Sequence, residues 1–346
     1  MLHKKIIYGF FVSTLLLVGC KNDESISIST NFDRLDDNSL RFGDKLSLDF
    51  SSEDAKIDSY SVKLNDKAYN TQKDFVLDTL NSKLGLNHFT VTVNYNGKYH
   101  KDIDGQFTVF SSVKEKKLTY KVIQEYPHNT QLFTEGFIYK DGMIYESAGQ
   151  YGKSQLVKYA LGSETFSQSV KNDPKIFGEG ISIVNGKIYQ LSYHERKGFI
   201  YDEATLNLLG GFTMPPNIVE GWGSTTLPNN KIVVSDSTPT LKFFDDKFNF
   251  IKSITVTGYD SVYSEVNELE YANGYIYSNI FNNNSILVID PKTGVVIAKG
   301  DFTELVNKNK TDNEAVLNGI AHISGNTFLI TGKLWSKIYK VELNIE

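Results

Sequence analysis

Phe177-Gly-Glu-Gly-Ile-Ser-Ile-Val-Asn-Gly-Lys-Ile-Tyr-Gln-Leu-Ser192 reads as a short apolar strand, an Asn-Gly turn and a second strand. An Asn-Gly pair between two such runs is a strong short-range hairpin signal, because both turn residues must adopt positive φ. The turn recurs as Asp141-Gly142, Asn185-Gly186, Asn229-Asn230, Asn273-Gly274 and Ser324-Gly325, at intervals of 44, 44, 44 and 51 residues. Each is followed by further strand-like runs, such as Gly198-Phe-Ile-Tyr-Asp202, Leu241-Lys-Phe-Phe-Asp245 and Ile286-Leu-Val-Ile-Asp290. Several strands in a repeat of this length match one four-stranded propeller blade, and an apolar period of two argues against helical repeats. Five copies predict a C-terminal five-bladed β-propeller over residues 116–346. The polar segment Asn307 to Asn313 stretches the last interval and reads as a solvated loop.

The chain ahead of the repeats divides in two. Met-Leu-His-Lys-Lys opens it, an apolar run from Ile6 to Val18 follows, and Gly19-Cys20 closes the segment. A basic start, an apolar stretch short for a membrane span and small residues at the end make a secretory signal. Leu17-Val18-Gly19-Cys20 resembles a bacterial lipobox, which makes residues 1–19 a lipoprotein signal peptide and Cys20 the site of lipid attachment. Residues 20–115 then hold a charged tether and short alternating strands: Lys45 to Phe50, Ile57 to Leu64, and Phe89 to Tyr95 followed by Asn96-Gly97. That pattern predicts an N-terminal immunoglobulin-like β-sandwich without a chemical site of its own. The fold class expected is all-β.

Composition removes several functions. Thirty-six Lys plus Arg against 41 Asp plus Glu give a net charge of −5, which argues against nucleic acid as a partner. A single cysteine excludes an intrachain disulfide framework or thiolate zinc cluster. The six histidines, at 3, 88, 100, 128, 194 and 322, show no metal-ligand spacing.

Comparing the repeats with one another locates a site. Seven residues before Gly142, Gly186, Gly274 and Gly325 stand Glu135, Glu179, Asn267 and Asn318, and Trp222 holds the position in the third repeat. A structural position should converge on one residue type across repeats, whereas these five differ beside glycines at 136, 180, 223 and 319. Variety at the start of the innermost strand points to a ring facing a cavity. Phe133, Phe177, Tyr193, Phe281 and the stretch Thr331-Gly332-Lys333-Leu334-Trp335 supply an aromatic wall with one cation, a pattern that fits a ligand pocket.

From Tyr126 to the C-terminus the chain resembles the plant-type glutaminyl cyclases, or glutaminyl-peptide cyclotransferases. The resemblance rests on Tyr126-Pro127-His128, Phe133-Thr134-Glu135-Gly136, Tyr145-Glu146-Ser147, Gly149 with Tyr151-Gly152, and Phe177-Gly178-Glu179-Gly180. It continues through Gly198 to Asp202, Gly221-Trp222-Gly223, Asn267 to Tyr271, Leu317 to Ala321 and Thr331 to Trp335. The family implies a five-bladed propeller that turns N-terminal glutamine into pyroglutamate with loss of ammonia. Glu179 matches its catalytic glutamate; Phe133, Phe177, Trp222, Asn267 and Lys333 match its pocket. Where this chain has Glu135 the plant enzymes usually carry glutamine, and where it has Tyr193 and Phe281 they carry tryptophan.

The expected mechanism makes Glu179 the general base and then acid, with Lys333 or Asn267 stabilising the oxyanion. Phe133, Glu135, Phe177, Tyr193, Trp222, Phe281 and Asn318 bind the substrate, and Glu135 is placed to meet its α-amine. No cofactor or catalytic metal is required, although the channel leaves room for a structural cation. Partners are peptides or proteins with N-terminal Gln and the membrane through the lipid anchor. A monomer is expected, held at the cell envelope by Cys20 and facing the periplasm or cell surface. Two alternatives stay open at this point: a non-catalytic envelope propeller binding a peptide or glycan, and a metal-dependent lactonase-like propeller.

Overall fold

Asp141-Gly142, Asn185-Gly186 and Asn273-Gly274 place both residues at positive φ, between 51° and 87°, so each pair closes a tight hairpin. The computed structural model describes residues 29–30 and 40–346. The signal segment and Cys20 lie outside the described residues.

Three units form separate four-stranded antiparallel sheets. The first comprises Thr134–Lys140, Met143–Ala148, Gln155–Ala160 and Gln168–Lys171. The second comprises Gly178–Val184, Lys187–Ser192, Lys197–Asp202 and Leu208–Thr213. The third comprises Ser224–Leu227, Lys231–Val234, Thr240–Phe244 and Phe250–Thr255. The fourth unit, Val266–Ala272 to Val296–Asp301, and the fifth, Leu317–Ser324 to Lys337–Ile345, belong to one eight-stranded sheet. Lys116–Pro127 joins them: it pairs antiparallel with Lys337–Ile345 from Leu118↔Ile345 to Pro127↔Lys337, and parallel with the fourth unit at Lys116↔Ala298. The start of the repeat region thus completes its last unit, and separation of the two ends would break that ladder.

The first strands of the five units touch in cyclic order, the fifth against the first. Close approach depends on the glycines flagged by the repeat comparison. A Cβ on Gly180 would lie 2.3 Å from the Trp222 carbonyl oxygen, and one on Gly223 would lie 2.0 Å from that of Asn267. The fourth unit has Glu268 where the others have glycine, and its carboxylate accepts Ile320 N–H at 2.9 Å and Phe137 N–H at 3.4 Å. One buried side chain therefore ties the inner strands of the fourth, fifth and first units.

Two local expectations change. The fifth hairpin pairs Ser324 with Thr327, so its loop is Gly325-Asn326, one residue later than expected. Part of the polar segment 307–313 is ordered: Thr303–Asn309 is an α-helix, and among the described residues it is the only one. Leu305 and Val306 enter the core beside Phe302, while Asn309 Nδ2 donates to the Tyr339 hydroxyl at 2.8 Å.

The N-terminal region forms a five-stranded sheet in the order Leu40–Arg41, Tyr99–Phe110, Gly85–Tyr95, Ile57–Leu64, Lys67–Asn70. Asn96-Gly97 closes its longest hairpin at positive φ. Leu46, Leu48, Phe75 and Leu77 from beside the small pair Lys45–Ser47 and Asp74–Val76 pack against Val62, Phe89, Val91 and Val109 of the sheet. Arg41 fastens this region to the repeats. Its guanidinium stacks 3.8 Å from the Tyr259 ring centroid and donates to the Tyr259 carbonyl at 2.7 Å.

Candidate active site

Four of the five variable residues sit at an irregularity in their strands. Pairing of the first two strands slips between Thr134 and Gly136, Gly178 and Ile181, Val266 and Leu269, and Leu317 and Ile320. A bulge inserts an unpaired residue and re-aims its side chain. Glu135, Glu179, Asn267 and Asn318 all fall inside these slips. Trp222 precedes Ser224–Leu227 and is held by Trp222 N–H to Ser235 O at 3.2 Å and Gly180 N–H to Trp222 O at 2.8 Å.

The side chains converge on a pocket of about 190 Å³ lined by Phe133, Glu135, Phe177, Glu179, Tyr193, Trp222, Asn267, Phe281 and Lys333. Nine of the ten expected catalytic and substrate residues therefore share one cavity. Asn318 stands behind it: its Nδ2 donates to Glu135 Oε2 at 3.1 Å and to the Thr134 carbonyl at 2.8 Å. Aromatic rings form the wall. Phe133 meets Phe177 edge-on at 6.1 Å between centroids, Phe177 meets Tyr193 at 5.8 Å, and Trp222 meets Phe281 at 5.5 Å. Gly149 gives room for this arrangement, since a Cβ there would lie 2.3 Å from the Phe177 ring and 3.0 Å from Glu135 Cγ.

The two carboxyls of the pocket differ. Glu135 Oε1 accepts from Lys333 Nζ at 2.6 Å, and Lys333 also lies 4.6 Å from the Phe133 ring centroid and 5.5 Å from that of Phe281. Burial pushes the Glu135 carboxyl up, against the pull of Lys333 and Asn318. Glu179 is only 5% exposed and takes no hydrogen bond from the described residues. Burial, and then the charge of Glu135, push it well above the ordinary carboxylate range, with Lys333 opposing and Glu220 and Glu195 adding. Asn267 Oδ1 is buried without a partner, so its amide is uncommitted.

A second buried network backs the first. Glu146 accepts from Thr134 Oγ1 at 2.7 Å and from the Tyr159 hydroxyl at 2.5 Å, and faces His128 Nε2 at 3.1 Å. His128 Nδ1 reaches the Trp335 carbonyl at 2.8 Å. Burial opposes a charge on His128, but Glu146 and that carbonyl together raise its proton affinity. Thr134 and Trp335 flank Glu135 and Lys333 closely in sequence, so the network holds the backbone that presents the ion pair.

Sequence reasoning passed over the mouth. Glu220 Oε2 accepts from Trp222 Nε1 at 3.0 Å, with His194 Nδ1 at 3.5 Å from its other oxygen. The exposed Tyr151 packs on Phe177 at 5.5 Å and donates to Glu195 Oε1 at 2.8 Å. Proximity of Glu220 to Trp222 in sequence was the available signal; for Glu195 there was none.

The sequence model of the glutamine cyclotransferase family matches residues 101–343. The chain belongs to the glutamine cyclotransferase family. Within that family it is 31% identical over 229 residues to a glutaminyl-peptide cyclotransferase of Arabidopsis thaliana, across 64% of this chain and 71% of the plant protein. The crystal structure of Myxococcus xanthus glutaminyl cyclase is also similar, at 32% identity and a TM-score of 0.62. That likeness covers 67% of this chain and 100% of the bacterial one.

Proposed function

We infer that this glutamine cyclotransferase converts N-terminal glutamine of peptides or proteins to pyroglutamate with release of ammonia, and that Glu179 carries the proton. The observation behind the assignment is a buried, unpartnered carboxyl in an aromatic pocket that also holds a committed lysine and an uncommitted amide. The substrate's α-amine attacks its own side-chain amide carbon, so the pocket's first task is to fold the chain into the ring-closing conformer. Phe133, Phe177, Tyr193, Trp222 and Phe281 provide the apolar wall for that.

Attack forms the C–N bond of the lactam ring and puts negative charge on the amide oxygen. Glu179 takes a proton from the attacking nitrogen and delivers it to the amide nitrogen, whose bond to carbon then breaks to release ammonia. A raised proton affinity suits this, because it brings the carboxyl closer to an α-amine, which titrates at about 7.7–8.0. Asn267 and Lys333 are the donors for the oxyanion. No cofactor enters these steps. A structural cation in the channel is kept as a proposal.

We assign the repeat region, 116–346, to a five-bladed propeller and residues 20–115 to a tether and immunoglobulin-like sandwich. The cyclic contact of the inner strands and the separate N-terminal core support this division. Residues 1–19 are proposed as a lipoprotein signal and Cys20 as the anchor of a monomer at the cell envelope. The site assignment is tested by ammonia release from a Gln-initiated peptide. Glu179→Gln is expected to lower kcat by about 10²–10⁴ with the fold intact, whereas near-normal turnover would refute the role.

A further inference from the structure

Two carboxyls compete for one ammonium group in this pocket. Glu135 holds it: Lys333 Nζ is 2.6 Å from Glu135 Oε1, and the other Glu135 oxygen is fastened by Asn318 at 3.1 Å. Asn318 is itself anchored on the Thr134 carbonyl at 2.8 Å, so the acceptor is fixed before any substrate arrives. Lys333 and Glu135 are 5% and 1% exposed, which leaves little water to compensate either charge. We propose that Glu135 is a positioning residue that claims Lys333, leaving Glu179 without a counter-ion so that it takes up the substrate's ammonium proton.

Charge counting gives this its chemistry. Glu135, Glu179 and Lys333 are the charged groups lining the pocket, so with Glu179 ionised its net charge is −1. A free N-terminus enters as a cation and makes the whole neutral, and the one proton it brings serves both the amine and Glu179. With a neutral side chain at 135, Lys333 would turn its charge on Glu179. The pocket would then lose its preference for a cation, and Glu179 would hold protons less firmly. The other groups that act on Glu179 are Glu220 and Glu195, with the hydroxyls of Tyr151 and Tyr193 also within its field, and His194 is drawn to Glu220. None of these reaches Lys333, so Glu135 is the switchable charge.

This proposal rests on Glu179 as the proton carrier, and the test separates the two. Glu135→Gln keeps the side chain's shape and removes its charge, retaining one acceptor oxygen where Glu135 offers one to Lys333 and one to Asn318. The profile of kcat/KM against pH is measured on a Gln-initiated peptide, together with calorimetric binding of norvalyl-alanine, whose free amine cannot cyclise. The acid limb is expected to move down by about one pH unit and dipeptide affinity to fall about tenfold. Lys333→Met, followed by dipeptide binding across pH, is expected to move the same titration upward. An unmoved limb and unchanged affinity in folded Glu135→Gln, or shifts of the same sign in both variants, would overturn the proposal. Activity retained by Glu179→Gln would instead overturn the proton-carrier assignment.

Discussion

Glu135 and Glu179 occupy the same place in consecutive units: a bulge at the start of an inner strand, seven residues before a hairpin glycine. Both are buried in one pocket, yet Glu135 has Lys333 and Asn318 as partners and Glu179 has none among the described residues. Position in the repeat decides where a side chain points. What surrounds it decides whether it holds a cation or moves a proton, as in other sites where two carboxyls take different roles.

The largest effect separates the pair outright. Glu179→Gln removes the proton carrier and costs about 10²–10⁴ in kcat, whereas Glu135→Gln leaves it in place and acts through affinity and pH dependence. Comparable losses of kcat at every pH would erase the distinction. Gly180→Ala asks whether aim matters as much as identity. The added methyl would meet the Trp222 carbonyl oxygen at 2.3 Å and Ser224 N at 2.6 Å, and backbone atoms cannot turn aside. A stability loss of about 1–3 kcal/mol is expected from denaturant unfolding, with kcat lowered because Glu179 adjoins the displaced backbone.

Glu268 supplies the smallest effect on turnover and a control for burial alone. It is as hidden as Glu135, lies outside the pocket, and burial with Glu270 nearby pushes it well above the ordinary range. A carboxyl raised in the folded state favours folding below its unfolded value of about 4.3, and that contribution is lost as pH rises through the folded value. Thermal midpoints should therefore carry a component that falls as pH rises from this range. Glu268→Gln should flatten it and leave kcat within a few-fold of the parent. A large loss of kcat with stability unchanged would show that a buried carboxyl away from the pocket shares the chemistry.

How much of this the sequence disclosed follows from the range of each interaction. Asn185-Gly186 dictates a hairpin through its own φ preferences, so the repeat and the five ring positions were readable locally. Bulges at Glu135 and Glu179 depend on pairing with a second strand, and only the mismatch between repeats hinted at them. The helix at Thr303–Asn309 was hidden because its two buried apolar residues, Leu305 and Val306, are too few to show a period within a polar run. Tyr151 and Glu195 meet only because loops of adjacent units converge at the mouth, a long-range fact that neither residue type announces.

The contrast between the two carboxyls can be observed without turnover. Infrared difference spectra of wild type minus Glu179→Gln, recorded across pH in the free protein, isolate the carbonyl stretch of this one group. The expected result is a Glu179 carboxyl that stays protonated to a pH above the ordinary glutamate range. A carboxyl that ionises at about 4.3, the ordinary glutamate value, would contradict it.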